Sequence, residues 1–256
     1  MKEPLASRLL FPITERAFTY RRYDEWLEHL GRVVPLRELA AAEAPVVGLR
    51  HDVDDRLGSA LVMARLEHAR GVRSTYFVLH TAPYWRHDER VLDAFRELQS
   101  LGHEVGFHHD LLAVWMLRVD VGDVLRRELD WLRGGGIDVR GTAAHGSPVA
   151  HAVGIHNNYF FRGWDEPLPG FGHTDVPKLD PSEFGLEYEA YHLPYEDYVS
   201  DSSFEDGRRV DPTTRATRGR AVVLVHPDHW DAGVPAKTVR LARKATRRAS
   251  RLRSRR

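Results

Sequence analysis

The sequence predicts an α/β fold built on a mostly parallel sheet or barrel. Two observations support this prediction. Short apolar runs rich in β-branched residues alternate with helical apolar spacing along much of the chain. Several of these runs end in histidine or aspartate, which is typical of a ligand site at the carboxyl ends of parallel strands. A length of 256 residues with 42% hydrophobic composition suits one main domain.

The elements are assigned in order from local spacing. Apolar residues three and four apart indicate amphipathic helices, and Gly71 and Gly102 mark two helix ends. Runs of β-branched and aromatic residues indicate strands. The predicted order is helix 23–30, strand 46–51, helix 57–71, strand 74–79, helix 91–102, strand 104–107, helix 124–134, strand 139–144 and strand 221–225. Between residues 157 and 207 the periodicity weakens, and we expect short strands and long loops that form a substrate wall.

The first of these strands leads into an unusual polar cluster. The apolar run 46–49 is followed by one histidine and three carboxylates within five residues, HDVDD at 51–55. Because side chains alternate along a strand, Asp52 and Asp54 point the same way while Val53 returns to the core. Two adjacent carboxylates repel each other, and a divalent cation is the simplest way to keep both ionised at neutral pH. A solvated loop end or a helix N-cap is the simpler alternative.

Histidines recur at the ends of three later strands. The motifs are His108-His109-Asp110, His145-Gly146-Ser147-Pro148 and His226-Pro227. A single histidine among fifteen indicates little, but the repetition predicts that Asp52, Asp54, His108 and His145 meet at one edge of the sheet. Imidazole and carboxylate groups suit zinc or a similar divalent ion with positions open to water, which favours a hydrolytic reaction.

A competing interpretation takes Asp52-Val53-Asp54 as the Asp-x-Asp motif of a glycosyltransferase. In such enzymes the two carboxylates hold a metal bound to a nucleotide diphosphate. That short motif is weak by itself, and it does not explain the histidines at the three later strand ends.

Composition limits the chemistry and divides the chain. The absence of cysteine leaves histidine, carboxylate and water as metal ligands. Residues 237–256 carry ten Lys or Arg and no acid, although the whole chain has 37 bases and 37 acids. We therefore expect a catalytic domain over 1–236, acidic overall, and a basic tail over 237–256.

The tail is interpreted first as a solvated end and second as a contact with an anionic membrane surface or nucleic acid. The acidic body argues against a nucleic-acid partner. The first eighteen residues lack the continuous apolar core of a signal peptide, and no stretch reaches membrane-spanning length, so a cytoplasmic location is expected.

Taken together, the motifs resemble those of the polysaccharide deacetylase family, the carbohydrate esterases with a NodB-like domain. The resemblance covers roughly residues 20–230. It is carried in order by LRHDVD at 49–54, STYF at 74–77, GHEVGFH at 102–108, HGSP at 145–148, YVSDS at 198–202 and LVHP at 224–227. It implies a distorted (β/α) barrel that hydrolyses N-acetyl or, as a second choice, O-acetyl groups on sugars with a divalent metal.

Carried over by position, the resemblance implies roles for five residues. Asp52 matches the general base, and Asp54 matches the metal-binding aspartate of the first motif. His108 matches the first metal-binding histidine, and His226 matches the acid that protonates the leaving amine. Asp201 is similar to the acid that supports the catalytic groups. The implied cofactor is one divalent metal ion, with zinc expected, and the implied partner is an acetylated sugar or glycan.

Two positions depart from the family pattern. The family places a second metal-binding histidine four residues after His108, where this chain has Leu112, and an arginine in the third motif, where this chain has HGSP. His145, His109 or Asp110 would then supply the missing ligand, and strand alternation favours His145 or Asp110 because it turns His109 away.

The combination of HDVD with HGSP is similar to a divergent subgroup associated with surface-glycan synthesis. The alternative function is therefore a protein with a degenerate metal site that binds glycan or organises a glycan-synthesis complex.

Overall fold

The computed structural model describes residues 18–161, 163, 176–205 and 208–231, so the predicted basic tail 237–256 lies outside the described residues. The strands lie in one main sheet and one small hairpin. Their bounds are β1 Val33–Val34, β2 Val46–Val53, β3 Thr75–Leu79, β4 Glu104–His109, β5 Gly141–Ala144, β6 Tyr188–Glu189, β7 Asp197–Ser200, β8 Phe204–Glu205, β9 Arg208–Arg209 and β10 Arg220–Val225.

The main sheet is parallel throughout. Its order is β6-β5-β4-β3-β2-β10-β7, with β1 also paired to β2, whereas β8 and β9 form a separate antiparallel pair. The register places Val225 beside His51 and Leu79 beside His108. The carboxyl ends of the central strands therefore meet at one edge of the sheet.

Helices connect these strands, which confirms the predicted α/β alternation. Their bounds are α1 Tyr20–Leu27, α2 Leu36–Leu39, α3 Leu57–Ala69, α4 Glu89–Ser100, α5 Leu111–Met116, α6 Val121–Gly134 and α7 Pro148–Val153. The first helix begins three residues earlier than predicted because the Thr19 side chain accepts a hydrogen bond from the Arg22 backbone N–H. Within the described parts of the chain, no helix is long and apolar enough to cross a membrane.

The sheet is curled, and aromatic side chains fill its concave side. Phe77 from β3, Val222 from β10 and Tyr188 from β6 belong to one apolar cluster, although β6 and β10 lie five places apart in the sheet. A Cβ atom at Gly106 would lie 2.4 Å from the Phe77 ring, and one at Gly141 would lie 2.2 Å from the Tyr188 ring. These two glycines therefore leave the space that the interior rings occupy.

The two edge strands, β6 and β7, approach each other without pairing. Tyr191 follows β6, Tyr198 lies in β7, and their ring centroids are 6.4 Å apart in a stacked arrangement. The curled sheet is thus a half-barrel in which tyrosine side chains occupy the side that strands leave open.

The helix-facing side of β2 carries a buried hydrogen-bond network. Alternation sends His51 to this side, where its Nε2 lies 2.7 Å from Glu67 Oε1 in α3. Glu67 also accepts hydrogen bonds from the Tyr23 hydroxyl at 2.5 Å and from the Ser74 hydroxyl at 2.5 Å. Burial alone would raise the pKa of Glu67, but His51 lowers it to about 2. His51 therefore stabilises the packing of α1 and α3 against β2 and does not face the aspartates that follow it.

Candidate metal and acid–base site

The carboxyl ends of β2, β4, β5 and β10 surround a cavity of about 520 Å³. The predicted site residues Asp52, Asp54, His108, His145 and His226 all line it. The other lining residues are Arg50, Ala144, Gly146, His151, His156, Tyr191, Tyr198, Ser202, Leu224 and His229. The segment 157–207 is predicted to form a substrate wall. Its described residues contribute Tyr191, Tyr198 and Ser202 to the cavity lining.

Three side chains in the cavity form a group that could hold a metal ion. One ligand atom from each of Asp54, His108 and His145 lies within 4.8 Å of the others. His108 Nε2 lies 3.4 Å from Asp54 Oδ1, and His145 Nε2 lies 3.8 Å from Asp54 Oδ2. Two imidazoles and one carboxylate are a donor set that zinc and similar divalent ions accept.

The orientation of His108 supports a cation at this point. Its Nδ1 lies 2.9 Å from the Ala143 carbonyl oxygen, so Nδ1 is the donor and a neutral ring presents a lone pair at Nε2. That lone pair faces carboxylate oxygens of Asp52 and Asp54, each at 3.4 Å. Asp54 Oδ1 is buried without a hydrogen-bond partner. Asp52 Oδ2 accepts a hydrogen bond from Arg50, but the His108 lone pair and Asp54 Oδ1 converge without a donor between them. A positive charge between these two acceptors would stabilise both, so the residues fit a divalent ion.

His145 is held in place by a carboxylate behind it. Its Nδ1 lies 3.2 Å from Asp110 Oδ2, and Asn157 Nδ2 donates to Asp110 Oδ1 at 3.0 Å and to the His145 carbonyl at 2.7 Å. Nδ1 donates to the carboxylate, so Nε2 points into the cavity with its lone pair. Asp110 lies outside the group of three and orients one of its members, as supporting carboxylates do in metal sites.

The remaining alternatives for the third ligand lie elsewhere. His109 is buried on the opposite side of β4, with its ring centroid 5.0 Å from that of Phe161. Leu112 is buried in the main apolar core, so the helical position of the family's second histidine does not face this cavity. Of the alternatives left open by the sequence, the structure places only His145 in the group with Asp54 and His108.

Asp52 is paired with an arginine from its own strand. Arg50 donates from Nε to Asp52 Oδ1 and from Nη2 to Oδ2, both at 2.7 Å, and both side chains are buried. Burial would raise the pKa of Asp52, but the Arg50 guanidinium holds it below its usual value. Sequence reasoning missed Arg50, although its position two residues before Asp52 places it on the same face of β2.

His226 is paired with a second buried carboxylate. Asp201 Oδ1 lies 2.6 Å from His226 Nδ1, and Asp201 Oδ2 accepts from the His226 backbone N–H and from Trp230 Nε1, both at 3.0 Å. Burial opposes the charged form of His226, but Asp201 raises its pKa to about 9. His226 Nε2 faces Asp54 Oδ2 at 4.0 Å. His226 therefore directs Nε2 into the cavity, and its raised pKa favours the protonated imidazole at neutral pH.

Asp201, His226 and His229 form a second group with atoms close enough for a metal. His229 Nδ1 lies 3.2 Å from Asp201 Oδ2. Asp201 already accepts hydrogen bonds from a backbone N–H and an indole N–H, so its charge is compensated without a metal. We interpret this group as a hydrogen-bond network in which Asp201 orients two imidazoles.

The Asp201–His226 pair predicts a pH dependence of stability. A histidine whose pKa is raised on folding stabilises the fold below about pH 6.5, and this contribution is lost as the pH rises through about 9. The difference in unfolding free energy between the parent protein and Asp201→Asn should therefore narrow between those values. Urea unfolding of chelator-treated samples across this range measures it, and parallel stability curves would contradict the assigned pair.

Comparison with known proteins does not assign the chain to a family. No family model matches the chain, and no curated protein matches it. Among solved structures it is similar to the Xyl-CE4 domain of a multidomain xylanase from the hindgut metagenome of Trinervitermes trinervoides, at 14% identity and a TM-score of 0.34. The match covers 71% of this chain and 73% of that chain. A TM-score this low does not establish a common fold.

One further buried carboxylate supports the cavity wall. Glu189 accepts hydrogen bonds from the backbone N–H groups of Tyr191 at 2.7 Å and Ala144 at 3.1 Å. Burial raises the pKa of Glu189 to about 7. Glu189 thus links Ala144, the residue before His145, to Tyr191 in the cavity wall. Nothing in the local sequence pattern marks Glu189, because its contact with Ala144 joins residues 45 positions apart in the chain.

Proposed function

We propose that this chain is a metal-dependent hydrolase of the polysaccharide deacetylase type, with its activity in residues 1–236. It would remove an acetyl group from an N-acetylated or, as a second choice, an O-acetylated sugar or glycan intermediate. One observation carries the proposal: a cavity contains three converging metal-ligand atoms beside a separate carboxylate and a separate protonated imidazole. These are the groups that hydrolysis of an amide at neutral pH requires.

Asp54, His108 and His145 would hold the ion, and the donor set suits zinc. When bound, such an ion lowers the pKa of a water molecule and polarises an acyl carbonyl. Asp110 and Asn157 fix the orientation of His145, so the group is organised before substrate enters.

The two remaining groups divide the proton transfers. Asp52 is kept ionised by Arg50 and would accept the proton of the attacking water. His226 is kept protonated by Asp201 and would donate a proton from Nε2 to the leaving nitrogen. Because each group has its own buried partner of opposite charge, the base and the acid hold different protonation states in one cavity.

The cavity suits a sugar. Its volume of about 520 Å³ lies within the range of small-molecule sites. Tyr191 and Tyr198 supply aromatic surface beside the polar groups, and Cζ of Arg50 lies 5.7 Å from the centroid of the Tyr191 ring. Aromatic surface next to hydrogen-bonding groups favours a ligand with an apolar face and many hydroxyls.

The alternative function is glycan binding without turnover. It is supported by Leu112, which stands where the polysaccharide deacetylase family has its second metal-binding histidine. The geometry favours the enzyme instead, because His145 directs an imidazole nitrogen into the same group from β5.

An assay of acetate release tests the proposal. The chain would be stripped with a chelator, reloaded with zinc and incubated with N-acetylated and O-acetylated mono- and oligosaccharides. We expect release from the zinc-loaded sample and none from the stripped sample. Equal release from both samples, or tight zinc binding without release from any acetylated sugar, would contradict a deacetylase.

A further inference from the structure

The exposed large apolar side chains of the described residues lie at one end of the sheet. They occur on three segments that follow the carboxyl ends of β4, β5 and β7: the α5–α6 connection, α7 and β8. The residues are Met116, Leu117, Val119, Val149, Val153 and Phe204. This is also the end at which the candidate site opens, so the exposed apolar surface borders the site.

The α5–α6 connection carries the most exposed of these side chains. It lies at the carboxyl end because α6 must return the chain to the amino end of β5. Met116, Leu117 and Val119 are 51%, 77% and 46% exposed. Arg118, between them, is exposed and has a φ of 58°, a conformation that non-glycine residues rarely adopt. Exposed apolar side chains with an adjacent base occur in segments that bind a membrane interface, and this base is followed two residues later by the exposed Asp120.

The second apolar segment lies directly on the cavity rim. Helix α7 begins at Pro148, three residues after His145, and exposes Val149 and Val153. The same helix carries His151, which lines the site cavity. Helix α7 therefore carries both exposed valines and one residue of the cavity lining.

The charge of the C-terminal segment indicates which kind of partner suits the carboxyl end of the sheet. The described chain ends at Asp231, shortly after the turn Pro227–His229 that follows the carboxyl end of β10. The 25 residues that come next carry ten Lys or Arg and no acid. A basic segment attached to an apolar rim complements a surface that is apolar and anionic, which describes a membrane rich in anionic lipid.

We propose that the carboxyl end of the sheet docks on an anionic membrane surface, with Met116, Leu117 and Val119 among the lipids and the basic tail at the head groups. The site cavity would then open toward the lipid. If the proposed deacetylase function also holds, the acetylated sugar is the head group of a membrane lipid.

Vesicle sedimentation tests the docking. The full chain would be mixed with vesicles of phosphatidylcholine alone or with phosphatidylglycerol, in parallel with Leu117→Glu and Ala41→Glu. Ala41 is exposed on the segment before β2, at the opposite end of the sheet, so it controls for the added charge. We expect the parent and Ala41→Glu to sediment with anionic vesicles, and Leu117→Glu to bind about tenfold more weakly.

Several outcomes would overturn the docking proposal. The first is that the parent chain does not sediment with vesicles. The second is that the parent and Leu117→Glu sediment equally. The third is that the parent does not bind vesicles but forms a dimer, and that the Leu117→Glu substitution dissociates this dimer. The last outcome would make this end an interface between two copies. Far-ultraviolet circular dichroism of Leu117→Glu ensures that a folded protein is compared.

A separate assay tests whether the substrate is the head group of a membrane lipid. Acetate release would be measured from a soluble acetylated sugar and from an acetylated glycolipid in vesicles. Preference of the parent chain for the glycolipid, lost in Leu117→Glu while soluble turnover is kept, supports it. Turnover of the soluble sugar alone would overturn the lipid-borne substrate. Vesicle binding without any turnover would overturn the deacetylase function and leave the docking in place.

Discussion

Asp54→Ala is expected to lose the bound divalent ion and to lower acetate release by about a thousandfold or more. Asp54 supplies the only carboxylate of the described group with His108 and His145, and its Oδ1 is buried without a hydrogen-bond partner. The variant removes the negative charge that balances the ion.

Elemental analysis of the zinc-loaded, desalted protein measures the first effect. Asp55→Ala is the matched control, because Asp55 is the adjacent aspartate and does not line the cavity. We expect one equivalent of zinc in the parent and in Asp55→Ala, and none in Asp54→Ala. Stoichiometric zinc in Asp54→Ala would contradict the assigned ligands.

His226→Gln is expected to lower kcat for an N-acetylated sugar by about 10²–10⁴ and to leave the metal content unchanged. Glutamine can still donate a hydrogen bond to Asp201, but it cannot transfer a proton to the leaving nitrogen. The effect should be much smaller with 4-nitrophenyl acetate, because a nitrophenolate leaves without protonation.

Comparison of the two substrates tells whether His226 acts as a general acid or has only a structural role. A structural role for His226 would lower turnover of both substrates to the same extent. A loss of zinc from His226→Gln would instead assign this imidazole to the metal. His229→Gln is the matched control, since His229 also contacts Asp201 but lies outside the group with Asp54.

Local spacing predicted the parts of the site that one strand determines. Alternation along β2 placed Asp52 and Asp54 on one side, and the structure has both in the cavity. The same rule places Arg50 beside them and His51 behind them, and both consequences were available from the sequence. The parallel order of the strands likewise followed from the alternation of strand and helix.

Contacts between distant segments could not be predicted in this way. The choice between His145 and Asp110 depends on Asn157, which contacts both residues from a segment after α7. Glu189 supports Ala144 across a separation of 45 residues. No periodic pattern encodes such contacts, because they depend on where separate loops pack in three dimensions.

The half-barrel also separates residues whose substitution would change only the cavity shape from residues that hold the proposed reactive groups in place. The residues with proposed roles in the reaction stand at the ends of hydrogen-bonded strands, so their mutual distances are held by the sheet ladder. Among the described residues, the opposite side is occupied by the Tyr191 and Tyr198 side chains, and β6 does not pair with β7. Substitution of either tyrosine changes the shape of the cavity without shifting a strand. Evolution could therefore redirect such a scaffold toward new ligands by a few side-chain changes while its reactive centre stayed intact.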